Sequence, residues 1–350
     1  MTAPEAVILA GGLGTRMLPL TAHRPKHLLD VGGVPFLAHQ LAKLAAAGVE
    51  HAVLATSYHA DQFAPVLGDG SRWGLRLTHV REISPLGTGG AMRHAATALH
   101  HDPERPVVVL NGDVLSGHDL ARQLAGLEEP PGRSPGAVAS LHLVGVADPR
   151  AFGCVPTDAA GRVTAFLEKV EDPPTDQVNA GCYVLRRGVL DLIPAGRVVS
   201  VEREVFPALL AAGRVFLGYR DDAYWRDVGT PQALVAASRD VVLGRVASAA
   251  IDPADGEARV AESAVVAGAK VGGGSVVAEG ARLGAGAVVR GSVVMRGASV
   301  GPDAVVEDSV LGERAQVGAG ARLSGAVLGD GEDIAPGAHL QCHVMPQGYE

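Results

Sequence analysis

Aliphatic residues recur in fixed triplets near the end of this chain, and their spacing leaves few folds open. Val277, Leu283 and Val289 stand six residues apart, and Val294, Val300 and Val306 repeat the pattern. So do Leu311, Val317 and Leu323, then Leu328, Ile334 and Leu340, each triplet starting seventeen residues after the one before. An amphipathic helix needs apolar positions at steps of three and four, and a half-buried strand needs steps of two. A step of six suits one flat side of a three-sided coil, with one aliphatic residue pointing inward per side and small residues at the corners. Coils of this kind stack, each touching only its neighbours.

Such a coil resembles the hexapeptide-repeat left-handed β-helix, shortened by one residue per turn. The pattern begins near residue 258, and the stretch 244–257, with Ile251-Asp252-Pro253-Ala254-Asp255-Gly256-Glu257, reads as a linker. Upstream the texture is different. Val7–Ala10, His51–Thr56, Leu75–Val80 and Val107–Leu110 are short apolar runs that read as buried strands, and Phe36–Ala47, Gly90–Leu99 and Leu120–Leu127 carry helix-period apolar faces. Strands alternating with helices predict an α/β, Rossmann-like domain with a mostly parallel sheet. The expected organisation is an α/β domain over 1–243, the linker, and a β-helix over 258–350. The tail is expected to support assembly, making the chain a homo-oligomer.

Bulk composition narrows the function. The chain has 350 residues, more than one hydrophobic core usually serves. A net charge of -8 without long like-charged runs argues against a nucleic-acid surface. Cys154, Cys182 and Cys342 are too few and scattered for a disulfide framework or zinc site. They read as reduced thiols in a cytoplasmic protein. No apolar run is long enough for a membrane span, so no membrane partner is expected. Of 30 basic residues only Lys26, Lys43, Lys169 and Lys270 are lysines, so a lysine here is a less casual choice than an arginine.

The first predicted strand ends in Ala10-Gly11-Gly12-Leu13-Gly14-Thr15-Arg16-Met17. Neither a Walker loop nor a dinucleotide fingerprint fits this spacing. Glycines at 11, 12 and 14 let backbone N–H groups approach a ligand closely, and Arg16 adds a planar fork suited to phosphate oxygens. Lys26, held after Pro25, is a second cation. In an open α/β sheet, ligands bind beyond the carboxyl ends of the strands, which is where this stretch falls. Asp113, in Leu110-Asn111-Gly112-Asp113, follows a run of valines and is placed to hold a hard cation such as Mg²⁺ among phosphates. Glu168 and Lys169 follow the strand-like Val163-Thr164-Ala165-Phe166-Leu167, so as neighbours on a strand they should point to opposite faces. Asp227 lies in Tyr224-Trp225-Arg226-Asp227-Val228-Gly229-Thr230, before a helix expected to start at Thr230-Pro231. His339 and His343 are four apart in a predicted coil and read as surface residues.

These stretches together resemble the sugar-1-phosphate nucleotidylyltransferases, and within that family the mannose-1-phosphate guanylyltransferase branch. The matching segments run in order over most of residues 6–240: LAGGLGTRMLPLT, RPKHLL, SPLGTGGAM, VLNGDVLSG, DPRAFGCVPTDAAGRVTAFLEKVEDPPTDQVNAGCYVL, VSVEREVFPALL and YWRDVGTP. The resemblance implies one displacement, in which the phosphate of a sugar 1-phosphate attacks the α-phosphorus of a nucleoside triphosphate and pyrophosphate leaves. A phosphate monoester is largely dianionic at neutral pH, so the step needs positioning and charge cancellation rather than a general base.

The resemblance also implies the roles. Leu9, Ala10, Gly11, Gly12, Gly14 and Thr15 would wrap the triphosphate, with Arg16 on its β and γ phosphates and Lys26 near the α phosphate. Leu86, Gly87 and Thr88 would meet the base, with Gly112 beside the nucleotide. Asp113 and Asp227 would hold Mg²⁺. Gly153, Glu168, Asn179 and Gly181 would line the sugar pocket, and Lys169 would grip the sugar phosphate. The implied substrates are GTP and mannose 1-phosphate. A specialised sugar or cyclitol phosphate (valienol 1-phosphate, heptose 1-phosphate or glucose 1-phosphate) is the alternative, because Met17, Leu18 and His27 depart from the family run. A non-catalytic regulatory subunit would lack the reacting cations and carboxylates, which are all present. An acyltransferase tail would need a loop insertion that the coils lack.

Overall fold

The structure is a computed structural model and describes residues 3–128, 136–252, 256–266 and 268–346. Positions 253–255 of the expected linker and the outermost residues of both expected domains lie outside these. The chain divides into two compact units. One comprises Met1–Gly12 with Gln40–Trp225, the other Leu13–His39 with Arg226–Glu350.

The first unit is built on a nine-stranded sheet. Its strands are β1 (Glu5–Ala10), β2 (His51–Thr56), β3 (Arg76–Arg81), β4 (Pro106–Asn111), β5 (Ala137–Gly145), β6 (Gly153–Cys154), β7 (Leu167–Glu168), β8 (Gln177–Arg186) and β9 (Val215–Arg220). Strands β3, β2, β1 and β4 run parallel in that order. Strands β1, β2 and β4 are the apolar runs that both-face burial demands. Strand β3, at the end of the order, carries Arg76, Thr78, His79 and Arg81 and is exposed at both ends, so the expected buried strand over Leu75–Val80 is an edge strand. Helices α1 (Phe36–Ala46) and α3 (Leu120–Glu128) form where the sequence periodicity placed them, while α2 (Gly87–Ala95) starts three residues before the expected Gly90 and passes into a 3-10 turn at Ala96–Ala98. Strand β8 pairs antiparallel with β4, β5 and β6, and β6 pairs antiparallel with β7. This reversal matters for function. The start of β8 lies at the same end of the sheet as the carboxyl ends of β1 and β4, because Cys182 pairs with Leu110 and Leu9 pairs with Asn111. The apolar core around Val7, Val109, Leu141, Tyr183, Phe206 and Phe216 is closed to solvent.

Another local expectation fails. Val163–Leu167 is not a continuous strand; Val163 makes an isolated bridge to Thr157, Leu167–Glu168 forms a two-residue strand, and Lys169 turns into left-handed backbone at φ 53°.

The second unit holds α4 (Pro231–Val242) and the coils. Thr230 caps α4 by accepting a hydrogen bond from the Ala233 N–H at 3.2 Å, and Pro231 supplies the first-turn residue that needs no donor. The coils form three stacked parallel sheets of six, five and five strands. Val277 pairs with Val294, Leu283 with Val300 and Val289 with Val306, and so on at seventeen-residue offsets. These residues and their successors through Ile334 are buried. The sides are unequal: from residue 277 on, two steps of six are followed by one of five, as from Val289 to Val294. The first coil makes its short step between Val266 and Val271 instead, so Lys270 pairs with Val288 at an offset of eighteen. Corners need left-handed backbone, which glycine adopts without steric cost. At 280, 297 and 331, and at 286, 320 and 337, the corner is glycine, while Arg314 and Asp303 take the equivalent places with φ of 58° and 57°.

Candidate active site

In the first unit the expected residues line one end of the sheet. Gly11 follows β1, and its carbonyl accepts from the Ser57 hydroxyl at 2.7 Å. The Gly112 N–H donates to the Leu9 carbonyl at 2.9 Å, so the turn carrying Asp113 is anchored to the strand that leads into the glycine stretch. Leu86 N–H donates to Glu82 Oε2 at 2.8 Å, and the same carboxylate lies close under Gly11. Burial pushes the Glu82 carboxyl up from its ordinary value. Glu82 thus ties the turn after β1 to the start of α2. No sequence motif flagged it, since its meaning depends on where β3 ends.

The residues expected at the sugar gather at the start of β8. Register between β5 and β8 shifts between Asn179 and Tyr183, a bulge that redirects the backbone of Asn179–Gly181. Gly181 is obligatory there. Its φ is 73°, and a methyl group on it would stand 2.8 Å from Asn111 Nδ2. Asn179 Oδ1 accepts from the Gly181 N–H at 3.0 Å, and Asn179 Nδ2 donates to the Tyr183 hydroxyl at 2.8 Å. Tyr183 donates to Glu202 Oε1 at 3.2 Å, and Glu202 Oε2 accepts from the Thr88 hydroxyl at 2.7 Å. Burial first, then the Glu202 charge, raises the Tyr183 phenol well above its usual range, so it stays a neutral donor. One polar chain therefore joins Thr88 to Asn179 through Glu202. That glutamate stands inside Val201-Glu202-Arg203-Glu204-Val205, but nothing in the motif singled it out.

Glu168 pairs across from Gly153, whose missing side chain leaves room for it. A methyl on Gly153 would stand 2.8 Å from Glu168 Oε2. The expectation that Glu168 and Lys169 face apart is corrected. Left-handed backbone at Lys169 brings its Nζ to 4.0 Å from Glu168 Oε1, with Arg203 Nη2 at 3.9 Å from the same oxygen. Acid and bases share one exposed corner because strand alternation stops at Glu168.

The second unit brings other expected residues together. Gly14 has φ 68°, and the Lys26 stem packs against it; a methyl there would meet Lys26 Cβ at 3.3 Å. The Thr21 hydroxyl donates to the Gly14 carbonyl at 2.9 Å. Arg16 meets Asp227 over Gly229. A methyl on Gly229 would stand 2.6 Å from Arg16 Nη2 and 2.9 Å from Asp227 Oδ1. A bare glycine thus makes room for a guanidinium and a carboxylate at one spot. Met17 and His27, expected as departures from the family run, are almost wholly buried.

The chemistry of the donors fits a hard divalent cation. Asp113 and Asp227 offer carboxylate oxygens. Among the described residues no group of three or more His, Cys, Asp or Glu side chains could hold a metal alone. Carboxylate oxygens are the ligands that a hard divalent cation takes, with phosphate oxygens and water completing its shell in phosphoryl-transfer sites.

Most of the chain matches known protein families. The Nucleotidyl transferase family model matches residues 5–242, and the GMPPB C-terminal domain model matches residues 255–348. The chain is 54% identical over 274 residues to the mannose-1-phosphate guanylyltransferase of Mycobacterium tuberculosis, covering 78% of this chain and 74% of that one. It is 34% identical over 241 residues to a probable mannose-1-phosphate guanylyltransferase 2 of Arabidopsis thaliana, covering 67% of this chain but only 64% of the plant protein. Among solved structures it is similar to a putative glucose-1-phosphate thymidylyltransferase of Bacillus anthracis in complex with a sucrose. That match has a TM-score of 0.61 at 25% identity and covers 68% of this chain and 96% of that one.

Proposed function

We propose, from the premise that this chain belongs to the nucleotidyl transferase family, that it transfers the guanylyl group of GTP to mannose 1-phosphate, giving GDP-mannose and pyrophosphate. The observation that carries this reading is the 54% identity to the mycobacterial guanylyltransferase over 78% of the chain. A phosphate oxygen of mannose 1-phosphate forms the new bond to the α-phosphorus. The bond from that phosphorus to the β-phosphate bridging oxygen breaks, and pyrophosphate departs with the electron pair.

The residues found suit that step. Leu9, Ala10, Gly11, Gly12, Gly14 and Thr15 present backbone to the triphosphate, and Arg16 and Lys26 offset its charge. Thr88, held by Glu202, and the backbone of Leu86 and Gly87 serve the base, with Gly112 beside the nucleotide. Asn179, Gly181, Gly153 and Glu168 serve the sugar, and Lys169 its phosphate. Mg²⁺ is the proposed ion for Asp113 and Asp227, where it supplies charge neutralisation on the phosphates. No helix among the described residues is long and apolar enough to cross a membrane. We place the enzyme in the cytosol, as a homo-oligomer.

The test is a panel of nucleoside triphosphates against sugar and cyclitol 1-phosphates, read by pyrophosphate release from the purified protein. The highest kcat/KM is expected for GTP with mannose 1-phosphate. A tenfold or greater preference for a heptose, glucose or valienol phosphate overturns the sugar assignment, and a preference for another triphosphate overturns the base.

A further inference from the structure

Of the four lysines, the proposed chemistry leaves Lys43 and Lys270 without a task; Lys270 is exposed on the coils, whereas Lys43 is half-buried beside the sheet. It lies on α1, one turn beyond Gln40, on a helix whose Leu37, Leu41 and Leu44 are wholly buried. An apolar residue would suit such a position at less cost than an ammonium, since burying a charge is unfavourable unless it is well partnered. Among the described residues no carboxylate pairs with Lys43. Its partners are the Ser116 carbonyl at 2.7 Å, the His118 carbonyl at 2.9 Å and His118 Nδ1 at 3.0 Å. Gln40 spends its amide hydrogens in the same way. Its Nε2 donates to the Asn111 carbonyl at 2.8 Å and the Val114 carbonyl at 3.0 Å, which flank Gly112 and Asp113.

We propose that Gln40 and Lys43 are positioning residues for the reaction, clamping the segment Asn111–His118 so that the Asp113 carboxylate is presented in one place to the divalent ion. This inference rests on the reading of Asp113 given above. Five donor hydrogens from two side chains, three positions apart on one helix face, all end on this segment. The clamp is consistent in its proton positions. His118 Nδ1 accepts from Lys43 and lies 2.6 Å from Ser116 Oγ, so the ring proton sits on Nε2 and meets Gln123 Oε1 at 3.1 Å. Burial, then His142 and Lys43, hold His118 down to about 2, and it remains neutral. Gln123 is itself fixed by donating to the Ser140 carbonyl at 3.1 Å. The Gly117 N–H donates to the Tyr224 carbonyl at 2.8 Å, so the segment is held from a second side. A displacement of about 1 Å at a reacting group can cost roughly a hundredfold in rate, which outweighs the cost of a half-buried charge.

The experiment compares the full-length wild type with Gln40→Met, Lys43→Met, the milder Gln40→Asn and, as a control, Leu44→Ala on the same helix. Mg²⁺ is titrated in the pyrophosphate-release assay. Mg²⁺-dependent binding of a non-hydrolysable GTP analogue is followed by calorimetry, and Tm is recorded for each variant. The Met variants are expected to raise the half-saturating Mg²⁺ concentration about tenfold, in assay and calorimetry alike, by loss of geometry at the reacting group. Their KM for mannose 1-phosphate should stay within about twofold, as for an interaction outside sugar binding. Gln40→Asn should move the same way by less, and Leu44→Ala should lower Tm without moving the Mg²⁺ requirement. Should the Met variants fail to fold, Gln40→Asn decides. Folded variants whose Mg²⁺ requirement matches that of Leu44→Ala overturn the clamp. Asp113→Asn is run in parallel: if it leaves the Mg²⁺ dependence unchanged, the reading of Asp113 has failed rather than the clamp.

Discussion

Glu5 opens the first strand of the sheet and has no exposed surface. Its carboxylate accepts from His51 Nδ1 at 2.7 Å and from the backbone N–H and Nδ1 of His100 at 3.0 and 2.9 Å, with Arg105 Nε at 3.6 Å. Burial alone would raise its pKa. The hydrogen bonds from His51 and His100 and the Arg105 charge outweigh that, and hold the carboxyl at about 2. A carboxyl whose folded-state pKa is depressed stabilises the fold above its unfolded value and loses that contribution as pH falls through the folded value. Glu5→Gln should therefore cost about 3 kcal/mol at pH 7, the linkage value for a shift of this size. Urea denaturation of the pair across pH should show the gap shrinking below pH ~4.5, the carboxylate's unfolded value, and closing as the pH nears the folded one. A gap independent of pH would mean that packing, not charge, holds Glu5.

Secondary elements show how the coils tolerate their missing residue. Ser275, Ser292 and Ser309 stand seventeen apart and are buried, and Ser292 and Ser309 stand on the short side of their coils. The Ser292 hydroxyl accepts from the Ser309 N–H at 3.1 Å, and the Ser309 hydroxyl accepts from the Ala326 N–H at 3.0 Å. The Ser292 and Ser309 hydroxyls donate back to the Arg290 and Glu307 carbonyls at 2.8 and 2.6 Å. Each hydroxyl thus replaces a backbone partner that a five-residue side cannot supply. Ser292→Ala would leave a buried N–H unpaired, and should destabilise the protein by about 1–3 kcal/mol. Denaturant unfolding measures this, and hydrogen exchange at the Ser309 amide should accelerate with it. The bulge in β8 is the counterpart in the sheet: pairing shifts register between Asn179 and Tyr183, where the residues proposed for the sugar stand.

At the scale of the whole chain, sequence continuity and spatial grouping disagree. Residues 13–39, which carry Gly14, Arg16 and Lys26, group with the coils and with α4 rather than with the sheet that precedes them. Arg24 explains part of this, because it pairs with Glu313 at 2.9 Å and with Asp330, on successive coils. His39 reaches Ser248 at 2.6 Å, and the Gly32 N–H donates to the Ser238 hydroxyl at 3.0 Å. A tail reserved for assembly would leave chemistry intact when removed. Given these contacts, deletion of residues 258–350 should reduce guanylyl transfer by at least about tenfold even in protein that stays soluble, since the triphosphate residues lose their support. Circular dichroism and pyrophosphate release on the truncated chain measure the two effects separately. A soluble, fully active truncation would show that the coils serve assembly alone.

Periodicity decided the larger outline. Steps of six at offsets of seventeen admit a three-sided stack and little else, and buried runs alternating with helix-period stretches admit a parallel sheet. Both are local patterns, and hydrophobic burial reads them directly. The glycines, Arg16, Lys26 and the carboxylates stand out by residue type and spacing alone, and on that they carry the roles proposed for them. Three things required tertiary structure: the partners of Lys43 and Gln40, the polar chain from Thr88 through Glu202 to Asn179, and the shared corner of Glu168 and Lys169. Each depends on where an antiparallel strand, a bulge or a left-handed residue sets down a group distant in sequence. A hydrogen bond over a few ångströms is specified by the folded path, and no spacing along the chain encodes it.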